Sequence, residues 1–595
     1  MTTVGSSGEV GDEIFVRSGG ARTAWARRGD LPSTRRANRP ARHVVVSAVA
    51  TVGRFRGRWM VLATAACWSA YVAVAVWLIE SRDFMINDAV SRSVSAKLMV
   101  LSRDPHLAAV GFYWQPIPTV TRIPFVYLLD PFGRALLAGP VTSALFAAAT
   151  VPVLVAIGRE LQCRAWTIVV VAIAYAANPV TVFMAANGMS ESTFGFFLAL
   201  AVLLFTRWRR SSDSRDLVLF GLALASCAAC RHEALVILPP LLVGIAMSVP
   251  PERRRSAVVL AAVPSIAWLV GWAAVSRLIT GDAVYWYTAS RATTATPPGA
   301  QWVSDTSSVA DAVWHVTVLL LAYSPALVPA MLVAVLRPRR AATWVAVFGV
   351  AVVLPAGLTW QLADRSTWMV PRFLAHTPLV GAMIALLVMW AATERDDEVM
   401  LATRRRTITD RLGRGLAVVA LACVPLGAMT ATLYLADGDR AHAEGEYLLM
   451  AQVLGRANPR GEPNHDGSNE VFEVDLAAHR ALAADLDARV EEASRAPTAD
   501  LEPMVVMDSL QATTVLLSRH GDRLIVPEDR DFEEILSDPV GRFEFIVVLD
   551  GRGSTEFSAL ISTELQRSAA DGGTWAEVAT HPGAGAIYRF TPSGA

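Results

Sequence analysis

The residues able to do chemistry in this chain are carboxylates, imidazoles and guanidiniums set into or beside apolar runs. Asp88, in FMINDAVSRSVSAKL, follows directly on the first long apolar stretch. It is placed to be a first-turn carboxylate worth about 1 kcal/mol to a helix, or a catalytic group, and the two roles are compatible. Downstream, SRDPHLAAVGFYWQPIPTVTRIPFVYLLDPFGR gathers Asp104 and His106 with Tyr113, Trp114 and Gln115, then repeated prolines. An irregular, aromatic-rich loop suits a sugar ring, which stacks on aromatic faces while amides and carboxylates hold its hydroxyls; the alternative is an interfacial aromatic belt. Glu191, in NPVTVFMAANGMSESTFGFF, sits at the boundary between two apolar runs, and Arg231-His232-Glu233, in CRHEALVILPP, interrupt another. There Glu191 could simply start a helix beside Ser190 and Ser192, and Arg231 could simply neutralise Glu233. Arg372, one residue after Pro371 and a turn before His376, puts a guanidinium where it could grip a phosphate at headgroup depth or snorkel to lipid headgroups.

The elements that must hold these residues are membrane spans. Of 595 residues 53% are hydrophobic and only 18% charged, with a mean hydropathy of +0.40, which excludes an ordinary soluble domain and makes the chain an integral membrane protein. A spanning helix needs about 20 mostly apolar residues, and eleven such runs occur, at roughly 59–80, 135–157, 166–186, 192–207, 216–231, 233–249, 256–278, 311–335, 342–362, 372–393 and 414–436. The fourth to sixth are short enough to be tilted or broken. With the Arg-rich amino-terminal arm in the cytoplasm, every second loop is basic: GRELQCRA, RWRRSSDSRD, PPERRRS, RPRRAA and ERDDEVMLATRRRTITDRLGR. An odd number of spans then carries the carboxyl-terminal tail outside the cytoplasm, together with the loops that hold the residues above. The expected location is the plasma membrane.

The expected fold class is therefore an α-helical polytopic membrane protein of about 11 transmembrane helices with a carboxyl-terminal soluble α/β domain. Residues 1–57 read as a disordered basic cytoplasmic arm without a cleavable signal, 58–436 as the transmembrane part with an external loop at 81–134, and 437–595 as the extracytoplasmic domain. The arm's charge is topological, and no nucleic-acid partner is expected. In the loop, Ala89, Val90, Val94, Leu98 and Leu101 recur near helical spacing with Asp88, Arg92, Ser95 and Arg103 between them, which predicts an amphipathic helix lying along the membrane surface. In the tail, PMVVMD, DRLIVP, FEFIVVLD and AIYRFT alternate with amphipathic stretches, which predicts a largely parallel sheet, led by a helix at DLAAHRALAADLDARVEEASRA. Asp508, His520 and Asp550 are given no role, because acids at strand ends are frequent in α/β domains. The basic charge is almost all Arg, Lys97 being the one lysine, as in a GC-rich genome. Cys67, Cys163, Cys227, Cys230 and Cys423 all lie in or beside apolar runs, so no disulfide framework is expected, and the C-x-x-C at 227–230 has no second ligand pair.

A first span ending at an acid, a surface helix, short-loop helices, polar sites on one side and a carboxyl-terminal external domain together resemble the C-type (GT-C) membrane glycosyltransferase superfamily, which includes protein O-mannosyltransferases and bacterial lipid-sugar transferases. The resemblance covers roughly residues 58–395 and rests on INDAVSR, NPVTVFMAANGMSESTFGFFLALAVLLFTRW and RHEALVILPP. It implies transfer of a sugar from a polyprenyl-phosphate donor, with inversion, to a glycan, lipid or protein acceptor. Asp88 is implied as the base that takes the acceptor's proton, Arg372 as the cation on the departing phosphate, and Asp104, His106, Trp114, Gln115, Glu191, Arg231, His232 and Glu233 as substrate-binding. Where many members carry two adjacent acids this sequence has Asn87-Asp88. That departure leaves a divalent cation open and names no metal ligand. The competing class is a transporter, flippase or scaffold, for which internal repeats and mid-membrane charges would speak; neither is evident.

Overall fold

The computed structural model describes residues 41–81, 83–294, 308–336, 341–363, 371–393, 405–436, 476–495, 503–507, 513–537, 542–549 and 573–592. Most of the amino-terminal arm, the loop at 295–307, the start of the tail and Asp508 and Asp550 lie outside the described residues. The chain divides into Met1–Trp59 and Met60–Ala595, and the carboxyl-terminal sheet belongs to the second unit together with the helices.

Each of the eleven expected spans coincides with a helix or a bent pair of helices. Among the described residues six helices are long and apolar enough to cross a membrane alone: Gly57–Ser81, Ala135–Glu160, Glu191–Ser211, Pro251–Thr280, Arg372–Ala392 and Arg411–Leu435. Two further helix pairs are long and apolar enough together but sharply bent between their halves. Ala165–Ala176 and Pro179–Ala186 meet at 54°, and Val309–Tyr323 and Leu327–Leu336 at 92°. Proline causes both breaks, since it lacks the N–H that would continue the ladder and pushes the preceding residue out of the helical region. At the first, Pro179 opens the new helix and the Asn178 side chain accepts the Val180 N–H at 3.0 Å. At the second, Ser324-Pro325 follows the helix end at Tyr323. Ser214–Ala228, Ala234–Ala246 and Gly349–Ala363 are shorter, so among the described residues six helices pass by length and apolarity, or eight if each bent pair is one span.

The two ends of Glu191–Ser211, about 30 Å apart at 1.5 Å per residue, carry opposite charge, Glu191 at one and Arg209 and Arg210 at the other. At the far end Arg207 and Arg210 each pair with Glu160 at 3.2 Å, and Arg209 reaches Ser248 at 2.7 Å. Arg207, Arg209 and Arg210 thus share one end of the helix with Glu160 and Ser248. Glu191 and its partners lie on the other.

The expected amphipathic helix is present as Asn87–Leu101, but it is not a solvated surface element. Ala89, Val90, Val94 and Leu98 are buried, and so are Arg92, 4% exposed, and Lys97, 1% exposed. The covering layer includes the carboxyl-terminal region. One apolar core contains Val90, Val94 and Leu98 of this helix with Leu482 and Leu486 of the Leu476–Arg495 helix and Val505, Val515 and Phe545 beyond it.

The sheet runs β2-β1-β3-β5-β4, with β1 at Val505–Met507, β2 at Leu524–Ile525, β3 at Phe545–Leu549, β4 at Gly573–His581 and β5 at Gly585–Pro592. Strands β2, β1 and β3 pair in parallel, while β3 with β5 and β5 with β4 pair antiparallel. The sheet is therefore mixed rather than largely parallel. The difference lies in β4, whose polar GTWAEVATH pattern belongs to a half-exposed edge strand. All five cysteines are free thiols.

Candidate functional site

Asp88 sits in the first turn of Asn87–Leu101, where the helix N-cap is Ile86 and no side chain caps. Its carboxylate is turned away from capping. Oδ2 lies 2.7 Å from Arg372 Nη2, with Asp88 26% and Arg372 9% exposed. Arg372 comes from the short turn Pro371–Leu374 that precedes the Thr377–Thr393 helix, so the pair joins two segments remote in sequence. One turn along from Asp88, Arg92 reaches back to the Asp88 carbonyl at 3.3 Å and lies 4.1 Å over the Trp114 ring, a cation–π stack. Its other contact is Met189 Sδ at 4.0 Å, and its Nε has no partner. Burial pulls the Arg92 guanidinium down to about 10, opposed by the negative charges of Asp88 and Glu191. It stays charged at neutral pH, a buried cation with no carboxylate in contact among the described residues.

Met189 leads into the second half of the cluster. Glu191 opens the helix Glu191–Ser211, is 7% exposed, and accepts a hydrogen bond from Arg231 Nη1; its second oxygen has no partner. Arg231 also donates through Nε to Glu233 at 3.0 Å and through Nη1 to Ser190 at 3.3 Å. Burial works against the charge on Arg231, but Glu233 and Glu191 outweigh it and hold it firmly protonated. His232 stacks on Trp286 with ring centroids 3.9 Å apart; burial pulls it down to about 4, so it is neutral at pH 7, and its Nε2 has no partner. Ile117 N donates to Ala229 O at 3.0 Å, which draws the Trp114-Gln115 stretch beside this turn; Gln115 is buried with its Oε1 unpartnered.

A further cation ties the halves together. Arg122, 1% exposed, donates through Nη1 to Ala89 O at 2.7 Å and to Ser93 Oγ at 3.0 Å, and through Nη2 to Gly188 O. Ala89 adjoins Asp88, and Gly188 is three residues before Glu191. Gly188 has φ +81°, and a Cβ there would stand 2.9 Å from Pro140 Cδ, so the loop that presents its carbonyl to Arg122 requires glycine. Burial lowers Arg122 well below the usual guanidinium value, and the positive charge of Arg92 adds to this.

The structure thus brings Asp88, Trp114, Glu191, Arg231, His232, Glu233 and Arg372 into one continuous cluster, with Gln115 at its edge. It does not bring Asp104 and His106 there. Asp104 takes a hydrogen bond from the Arg530 N–H at 2.9 Å and pairs with the Arg530 guanidinium, which holds its carboxyl far below the ordinary range; His106 Nδ1 bonds the Asp104 carbonyl at 2.7 Å. Beside them Arg103 pairs with Asp529 at 2.9 Å and with Asp531, and Lys97 Nζ is held by Asp130 at 2.7 Å and the Ser518 carbonyl at 2.8 Å. These residues latch the carboxyl-terminal region onto the helix that carries Asp88. Arg92 and Arg122 are the site residues that the sequence reading leaves unmarked. Arg92 had a visible signal, four residues after Asp88 and so on its helix face; Arg122 had only its place among apolar residues and prolines.

Chemically, the cluster offers two partly accessible carboxylates, Asp88 beside the cations Arg372 and Arg92 and Glu233 engaged by Arg231, with an aromatic face at Trp114. Among the described residues no three His, Cys, Asp or Glu side chains gather as a metal-binding group. His520 instead faces Glu491 at 3.6 Å.

No family model and no curated protein matches the chain. Among solved structures it is similar to ArnT from Cupriavidus metallidurans bound to undecaprenyl phosphate, at 14% identity and a TM-score of 0.45, over 89% of this chain and 97% of that one. The apo state of the same protein aligns at 14% identity and a TM-score of 0.46, over 90% and 98%. The archaeal oligosaccharyltransferase AglB from Archaeoglobus fulgidus, in complex with an inhibitory peptide and a dolichol-phosphate, aligns at 10% identity and 0.42, over 91% of this chain and 75% of that one.

Proposed function

We propose that the chain is a membrane glycosyltransferase that moves a hexosyl or pentosyl group from a polyprenyl-phosphate donor to an envelope glycan, lipid or protein acceptor, on the extracytoplasmic face. The observation that carries this reading is the Asp88–Arg372 ion pair with Arg92 buried and under-partnered one turn away. A donor phosphate is the ligand such a group suits. It would compete for Arg372, give Arg92 the anion it lacks, and release the Asp88 carboxylate. Asp88 then accepts the acceptor's hydroxyl proton as that oxygen attacks the anomeric carbon. The bond from this carbon to the phosphate oxygen breaks on the opposite side, with inversion, and polyprenyl phosphate leaves with its charge held by Arg372 and Arg92. Trp114, Gln115, Glu191 and His232 are assigned to the sugar, and Arg231 and Glu233 to holding Glu191 in place.

Topology supports the extracytoplasmic side, because the basic ends at Arg207, Arg209 and Arg210 lie at the opposite end of the helix from Glu191. On this reading residues 58–436 form the catalytic membrane domain, 437–595 an extracytoplasmic domain, and the amino-terminal arm is cytoplasmic. A transporter is disfavoured by the gathering of polar side chains at one end of the helices rather than along a path between them.

The test is Asp88→Asn. With donors labelled in the sugar and an envelope extract as acceptor, transfer is expected to fall by about 10²–10⁴-fold, the usual contribution of a general base. Helical content and elution in detergent should stay as in wild type. Wild-type transfer by a folded Asp88→Asn protein refutes the assignment.

A further inference from the structure

A second site lies away from this cluster, where the end of the first span meets the carboxyl-terminal region. A cavity of about 480 Å³ is lined there by Glu80, Arg134, Arg480, Asp487, Glu491 and Arg519, with an apolar side that includes Phe132. Its acids are already committed. Glu80 pairs with Arg480 at 3.4 Å, Asp487 accepts the Ser518 hydroxyl at 2.6 Å and the Arg519 N–H at 3.0 Å, and Glu491 pairs with Arg495 at 2.9 Å. Arg480 is committed too, to Asp83 at 2.6 Å and to the Ile79 carbonyl at 3.2 Å. Arg134 and Arg519 are the exceptions, since neither guanidinium has a carboxylate partner among the described residues. They are neighbours: Gly133, next to Arg134, would bring a Cβ to 3.9 Å from Arg519 Nε. Two uncommitted guanidiniums in a cavity whose acids are all engaged form a receptor for an anion, and the planar fork of Arg matches phosphate oxygens.

The position narrows the ligand. Glu80 lies one residue from the end of the Gly57–Ser81 span, and Phe132 is 76% exposed at the cavity mouth. A polar cavity with an apolar flank at the level where a span leaves the bilayer meets both halves of a lipid headgroup region.

We propose that this cavity binds a phosphate-bearing ligand at the membrane surface through Arg134 and Arg519. The site goes beyond the transfer reaction and does not depend on it. The delipidated full chain in detergent is titrated with phosphatidylglycerol, with phosphatidylcholine and with inorganic phosphate, and binding is read by native mass spectrometry and by the shift of the thermal unfolding midpoint. Wild type is expected to bind phosphatidylglycerol in preference to phosphatidylcholine, and Arg134→Gln/Arg519→Gln to bind it at least ten-fold more weakly, each single variant falling between. Inorganic phosphate separates the sources. No response to it supports the lipid headgroup; a response lost in the double variant supports a soluble phosphate compound. A double variant that binds both probes as wild type does, or a wild type that binds neither, overturns the proposal. Asp88→Asn should bind as wild type, so failure of the transfer mechanism and failure of this site give different results.

Discussion

Replacing Arg122 by Met tests whether a buried cation without a carboxylate partner organises the site. Met fills the stem's volume and removes the guanidinium. Three hydrogen bonds from a charged donor are lost, at about 1.5–3 kcal/mol each, while the cost of burying the charge, several kcal/mol, is recovered. The carbonyls left behind differ. Ala89 O keeps the Ser93 hydroxyl at 3.0 Å, whereas Gly188 O loses its guanidinium partner in a buried loop. An unsatisfied buried carbonyl costs about 1–3 kcal/mol, so the net destabilisation should be about 2 kcal/mol. The effect on transfer should be larger, because the same side chain fixes the Asp88 helix against the loop before Glu191, and small misplacements at a reacting centre cost about 10²-fold. Arg122→Lys keeps the charge but not the fork that spans Ala89 and Gly188, so it should fall between. Unfolding in mixed micelles, followed by tryptophan fluorescence, measures the first quantity, and transfer of labelled sugar the second. An Arg122→Met protein within about 0.5 kcal/mol of wild type, with unchanged kcat, refutes the reasoning.

Arg231→Leu should destabilise by about 3–5 kcal/mol because it strands the buried Glu191 carboxylate, and Glu191→Gln/Arg231→Leu should recover most of that loss in the same unfolding assay. Additive losses in the double variant would show that the two residues do not act as a pair. At the latch, Lys97→Met should cost about 2–3 kcal/mol, since it leaves Asp130 and the Ser518 carbonyl without a buried donor. By contrast Arg530→Ala, at a side chain 71% exposed, should cost less than Lys97→Met despite its close pairing with Asp104, because solvent screens the pair. Hydrogen exchange over residues 513–530 reads the undocking directly, and faster exchange in Arg530→Ala than in Lys97→Met would reverse the ranking.

Particular residues stand out in a linear reading. Arg231 interrupts an apolar run, where a charge is expensive enough to need a partner, while Glu191 and Arg372 are charges at the boundaries of expected spans. Asp104 and His106 look equivalent to them by proximity to Trp114, yet Asp104 is held by Arg530, more than four hundred residues away in the chain, and His106 by Asp104 itself. Arg92 reads as part of the polar face of an amphipathic helix along the membrane surface. It is buried because the Trp114 loop covers that face, as the carboxyl-terminal region covers Lys97, which periodicity cannot reveal. The edge strand β4 went unread for a related reason: half exposed, it lacks the apolar alternation of its neighbours.

By itself the sequence determined what depends on local composition: that the chain lives in a bilayer, where its helices fall, and where proline breaks them, because hydrophobic transfer and backbone satisfaction act within some 20 residues. The tertiary structure alone decided which charges meet. Asp88 and Arg372 are far apart in sequence and 2.7 Å apart in space, and Arg122 joins a helix to a loop that nothing in the linear order relates to it. An ion pair's strength depends on distance and burial, which exist only once the helices have packed.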